Sequence, residues 1–256
     1  MNTILASRHL PLLLVITSLI LYGVDFLVSG GDGLAAAFLG NLAFLPVYVL
    51  VVTLIIERVL RERERLAIRQ KLNMVIGVFF CEVGTVMIRD CLGFVRDPRE
   101  LMESLRITAH STPREFKDAA FFLQKHDVGL DSRQGDLDAL KKFLDKKRSF
   151  MLSLLENPNL LEHDEFTDLL WAVFHLNEEL QARASLSELS PSDQEHLSGD
   201  ITRAYGLLLR EWLTYVQHLK QDYPYLFSLA VRTNPLNPEA RAEIVHPAGT
   251  ERHVHP

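Results

Sequence analysis

Cysteine is scarce, basic charge is not in excess, and motifs for a nucleophile or a bound phosphate are missing. Each of these absences narrows what the chain does. Cysteine occurs only as Cys81 and Cys91. With no CxxC pair and no even framework, both are expected to be buried thiols in a reducing compartment. Lys and Arg total 27 against 33 Asp and Glu, a formal net charge of -6. No global positive field draws such a chain to nucleic acid, which is not expected as a partner. No GxSxG, P-loop or GxGxxG fingerprint occurs, so no catalytic residue and no cofactor are assigned. No stretch alternates apolar and polar residues between hairpin turns, so strands are not expected either.

Long apolar runs are what the chain does have. Hydrophobic residues make up 48 % of it, unevenly placed. Leu10 to Val28 reads LPLLLVITSLILYGVDFLV, and Leu34 to Ile56 reads LAAAFLGNLAFLPVYVLVVTLII. Crossing a hydrocarbon core of about 30 Å takes about 20 apolar residues, so each run is of spanning length. A cleaved signal peptide is the competing reading of the first run, but a second spanning run begins at once after it. Between them, Ser29-Gly30-Gly31-Asp32-Gly33 is a tight reversal. Residues 1–56 are therefore expected to form a two-span transmembrane helical hairpin.

Charge orients the hairpin. Its glycine tip carries no Lys or Arg, whereas Arg8 precedes the first run and Arg58, Arg61, Arg63, Arg65, Arg69 and Lys71 follow the second. Positive residues stay on the cytoplasmic side, which places both termini there, in an inner (cytoplasmic) membrane. Asp25, Asn41 and Pro46 are the polar or helix-bending residues within the spans. They line a polar pathway, or else Asp25 sits wetted at headgroup depth and Asn41 bonds a neighbouring helix. Pro46 is expected to kink the second span.

Residues 57–71 form a charged stem, in which acids and bases mix at i,i+3 and i,i+4 as on an exposed helix. Its Arg58, Arg61, Arg65 and Arg69 suit anionic lipid headgroups. The next segment, Leu72 to Ile88, is apolar nearly all round. Such a helix is buried in a core or in a membrane; Glu82, Asn73, Gly77 and Gly84 within it favour a cytosolic core or an interface between copies. Glu82 is then a buried acid, either a sensor of pH or ions or one half of a buried salt bridge.

The remaining sequence to residue 232 reads as an all-α cytosolic domain. Thr112-Pro113 with Glu115, and Ser190-Pro191 with Asp193, are helix starts. Asn157-Pro158-Asn159 and Tyr223-Pro224 are stops. Helices are expected from Pro113, over Gly135 to Glu156, from His163 to Ala184 and from Pro191 to Gln221. The acids and histidines of the last two lack the Glu-x-x-His spacing of di-iron bundles, so no metal is assigned, although His175 and Glu179 share a face. Residues 233–256 read as a disordered tail whose His246, His253 and His255 would bind metal only adventitiously.

The expected protein is thus all-α: a two-span hairpin continuing into a cytosolic helical bundle. It contacts the lipid bilayer, self-associates, and acts as an interaction, signalling or scaffold module with a cytosolic protein partner. An oligomeric channel or transport component with span two lining the pore is the alternative, and a membrane-tethered enzyme is the third reading.

Overall fold

The helices begin where the sequence supplies caps and end where it supplies breakers. The computed structural model describes residues 12, 14–21, 23, 24, 27, 34–126, 128–157, 160 and 163–243, with backbone alone for 34–43 and 65–70. Among them the helical elements are α1 (Leu34–Phe79), a π-helical turn (Phe80–Gly84), α2 (Thr85–Cys91), a 3-10 turn (Leu92–Phe94), α3 (Pro98–Ser104), α4 (Pro113–Lys125), α5 (Leu137–Leu155), α6 (Asp164–Ala182), α7 (Pro191–Asp222) and α8 (Pro224–Arg232). Extended pairing among the described residues is limited to an isolated bridge between Val95 and Leu130. The chain is all-α.

Capping chemistry explains the boundaries. The Thr112 hydroxyl accepts from the Glu115 amide at 3.3 Å while the Glu115 carboxylate accepts from the Thr112 amide, a reciprocal box with Pro113 in the first turn. Ser190 caps α7 by accepting from the Asp193 amide, again with proline next. Asp136 accepts from Ala139 at the start of α5. Tyr223 closes α7, and Pro224 opens α8.

Two compact units divide the chain, residues 1–70 and 71–256. In the first, the described part of the Leu10–Val28 run is helical, and Asp25 lies outside the described residues. The second run belongs to α1, which continues through Pro46. Apolar side chains here are bare: Leu12, Leu19, Leu27, Phe44, Tyr48, Val52, Ile55 and Leu60 are all exposed. Ser18 and Pro46 are buried.

The second unit is built around α7. Its 32 residues run about 48 Å at 1.5 Å per residue. It packs against α2, α4, α6, α8 and the π turn, while α5 packs against α6. Ile201, Ala204, Tyr205, Leu208, Leu209, Trp212 and Val216 recur at helical spacing and are buried. The 72–88 segment adds Leu72, Ile76, Phe79, Phe80, Val83, Met87 and Ile88 to the same core. Tyr205 Oη donates to the Ile88 carbonyl at 3.3 Å, a buried bond joining α7 to α2. Among the described residues Lys71–Phe94 is also the helical stretch long and apolar enough to cross a membrane, with 44 % of its most apolar window buried inside the protein.

The π turn sets the phase of that stretch. The Thr85 amide donates to Phe80 O, five residues back, inserting one residue into the helix. Phe80 stacks on Tyr215 with ring centroids 5.0 Å apart, and Phe79 meets Phe166 edge-on at 5.2 Å. The outward face at this point falls on Cys81 and Glu82. This corrects two expectations. Cys81 is exposed and only Cys91 is buried. Glu82 is not a buried acid: its side chain is 51 % exposed and pairs with Lys147 Nζ at 2.6 Å. That lysine bond holds the carboxyl below its usual range.

Gly84 has no room for a side chain, because a Cβ there would stand 2.4 Å from Phe80 Cδ1. Gly84→Ala must push the Phe80 ring off Tyr215. We expect it to cost about 1–3 kcal/mol, the usual penalty of overpacking, read as a lower urea midpoint at unchanged slope.

The ordered chain extends beyond Thr233, where the tail was expected to start. The Leu236 amide donates to Asn234 Oδ1 at 2.9 Å, and Leu236 is 2 % exposed. Arg232 also donates to the Ala242 carbonyl. Asn234, Pro235 and Leu236 are all buried and anchor this stretch. The tail histidines lie outside the described residues.

Candidate functional site

α6 and α7 are joined by residues 183–190, a link short enough to make them antiparallel neighbours. His175 and Glu179 lie four apart near the end of α6, and His196 and Asp200 four apart near the start of α7. Residues at i and i+4 share one face of a helix, so two such pairs flanking one link meet when both faces turn inward. They do. His196 Nε2 is 3.3 Å from Asp200 Oδ2 and 3.4 Å from Glu179 Oε2. His175 Nε2 is 3.7 Å from Asp200 Oδ2 and 3.9 Å from Glu179 Oε1.

Two arginines support the carboxylates from outside. Arg183 Nη1 donates to Glu179 Oε2 at 2.8 Å, and its Nη2 donates to Asp193 Oδ1 at 3.0 Å. The Arg183 bond is the main cause that holds the Glu179 carboxyl below the usual carboxylate range. Arg203 Nη1 donates to Asp200 Oδ1 at 3.2 Å. Asp200 is 4 % exposed, yet its Oδ2 accepts no hydrogen bond. Both histidines remain half exposed. Glu179, His196 and Asp200 are the described residues whose donor atoms lie close enough to share one ion.

A cleft of about 360 Å³ lies further along the same pair of helices, lined in part by Leu123 and Gln124 of α4, Glu165 and Asp168 of α6, and Arg210 and Glu211 of α7. Burial, and secondarily the charge of Glu165, pushes the Glu211 carboxyl up to about 7. A carboxyl poised there exchanges a proton near neutrality.

The residues singled out from sequence are spread along the chain rather than gathered at one site. Asn41 and the stem residues Arg65 and Arg69 lie on α1, their side chains outside the described set. Arg58 is exposed, and Arg61 is exposed and pairs with Glu57 at 3.1 Å. Of the aromatic residues in the second half of α7 and in α8, Trp212 is buried and Tyr215 is stacked on Phe80, while Tyr225 is bare. His196 and Asp200 stand among the acids and histidines weighed from sequence for a metal, and were set aside because the two helices lack Glu-x-x-His spacing. The signal present was a different one, a histidine followed four residues later by an acid on both sides of one short link.

Comparison with known proteins places the chain in a lineage. Residues 68–232 match the family model described as "Uncharacterized protein MJ1433, C-terminal helical domain". Residues 3–60 match that of the MJ1433 N-terminal helical domain. The relative named "Uncharacterized protein MJ1433", from Methanocaldococcus jannaschii, is 43 % identical over 225 residues, covering 88 % of this chain and 90 % of its own. No solved structure matches the chain.

Proposed function

The chain belongs to the MJ1433 family, and we propose that it is a self-associating protein anchored in the cytoplasmic membrane by a two-span hairpin, with both termini in the cytosol and the helical domain offered to a protein partner. The observation that carries this reading is the bare apolar surface of α1. Val51, Val52, Leu54, Ile55 and Ile56 are all exposed. Successive helical residues step by about 100°, so these five side chains cover a little over half of the circumference, with Thr53 in the remaining arc. An apolar helix face this broad, uncovered by its own chain, suits lipid.

The composition changes sharply at the next residue. Glu57, Arg58, Arg61, Glu62, Arg63 and Glu64 follow directly and are exposed. That is the pattern of a helix passing from hydrocarbon into the headgroup layer, where Arg58 and Arg61 would meet anionic lipid at about 1 kcal/mol each. The Glu57–Arg61 pair is fully exposed and contributes little by itself.

Topology provides the test. A reporter fused after Lys71 is expected to read cytoplasmic, and one inserted at Gly31 external; an external signal at Lys71 would overturn the hairpin. An oligomeric pore is the second reading, favoured by Asn41 and Pro46 on α1. Two spans cannot enclose a path alone, so it requires several copies around an axis. Light scattering on the protein in nanodiscs separates the two: a ring of four or more copies favours the pore, a monomer or dimer the anchored module.

A further inference from the structure

We propose that His175, Glu179, His196 and Asp200 form a binding site for one divalent transition-metal ion of the zinc class, clipping α6 to α7. This goes beyond the membrane reading and does not depend on it.

The geometry is close to that of a tetrahedral ion. Zinc holds imidazole nitrogen and carboxylate oxygen at about 2.0–2.1 Å, so neighbouring donors around it stand roughly 3.4 Å apart. The donor separations here are 3.3, 3.4, 3.7 and 3.9 Å. Glu179, His196 and Asp200 already offer donor atoms within reach of one ion, and rotation of the half-exposed His175 side chain, 3.7 Å from Asp200 Oδ2, would add the fourth.

Asp200 supplies the independent indication. A buried carboxylate oxygen without a hydrogen bond is costly and needs a partner. Asp200 Oδ2 is such an atom, and it points between the two imidazoles. Its other oxygen is fixed by Arg203, which leaves Oδ2 alone for the ion. Arg183 orients Glu179 by donating to Oε2, the oxygen that also faces His196, while Oε1 faces His175. Supporting bonds that orient ligands in this way are the usual surroundings of a metal.

The donor set selects the ion. Two imidazoles suit zinc, cobalt or iron better than magnesium or calcium, and the lack of thiolate disfavours copper(I). Two carboxylates balance a dication. Four protein ligands fill a tetrahedral shell, which marks a structural ion rather than a hydrolytic one. His175 borders an open cleft with Trp171 and Arg203, which gives the ion a route from solvent.

Isothermal titration of the chelator-stripped, full-length protein in detergent tests the assignment. One zinc ion per chain is expected to bind and to raise the melting temperature, with no response to magnesium. The H175A/H196A double variant is expected to lose this binding, and Arg203→Ala to weaken it about tenfold. Replacing His246, His253 and His255 with alanine controls for the tail and is expected to leave binding intact. Both core histidines are half exposed, so the double variant should fold; equal circular dichroism of the stripped proteins verifies that. Cobalt in the wild type should show the intense visible bands of a four-coordinate ion. Absent zinc binding, binding that survives in the double variant, binding lost with the tail histidines, or six-coordinate cobalt bands would each overturn the assignment.

Discussion

Glu211→Gln is expected to stabilise the protein by about 3 kcal/mol at pH 8 and to change nothing at pH 4. Glu211 is buried in α7 and its carboxyl is pushed from 4.5 to about 7 by burial, with the Glu165 charge adding to it. Raising the native pKa means that the folded chain holds a proton which the unfolded chain releases. Stability from this group is therefore fully present below about pH 4.5, declines between about 4.5 and 7, and stays at its lower level above. At about 1.4 kcal/mol per unit the full loss is about 3 kcal/mol. Glutamine resembles the protonated acid and has nothing to lose. Urea midpoints of wild type and variant, measured from pH 4 to 8, should coincide at the acid end and separate through neutrality. Asp168 and Arg210 also face this cleft. A constant difference across the range would mean that Arg210 keeps Glu211 ionised.

Phe79→Ala should cost about 3–5 kcal/mol, the range for removing a buried phenylalanine from a core that cannot collapse around the void. Phe79 has no exposed surface. It lies edge-on to Phe80 at 5.4 Å and to Phe166 at 5.2 Å, and Phe80 in turn is stacked on Tyr215. Removing it takes away the central ring of a set linking the end of α1, the π turn, α6 and α7. Phe121 is the control, since it is 56 % exposed on α4. Phe121→Ala should shift the denaturation midpoint by no more than about 0.5 kcal/mol. Equal effects at the two positions would mean that this aromatic set is not the centre of the core.

Much of the secondary structure could be read from the residues, for identifiable reasons. Thr112-Pro113 with Glu115, and Ser190-Pro191 with Asp193, are local devices: they satisfy orphan amides within a single turn. Hence α4 and α7 start where those residues are, whatever surrounds them. Likewise α6 was expected from His163 to Ala184 and runs from Asp164 to Ala182. The candidate sites were less legible. Leu72 to Ile88 shows apolar residues on every side, including the exposed Met74 and Val78. Its hydropathy therefore does not say which side faces water; packing leaves Glu82 on the exposed side, paired with Lys147.

Local chemistry alone was enough to establish an all-helical chain, the starts of α4 and α7 and the approximate limits of α6. Capping, proline and 3.6-residue periodicity act over a few residues and need no tertiary partner. The tertiary structure decided which side of each helix is covered. It left Glu82 on the surface with Lys147, buried Glu211 beside Glu165, and set His175 and Glu179 against His196 and Asp200. Each outcome depends on the rotation of one helix relative to another. That rotation is settled by packing across the whole core, and no short stretch of chain encodes it.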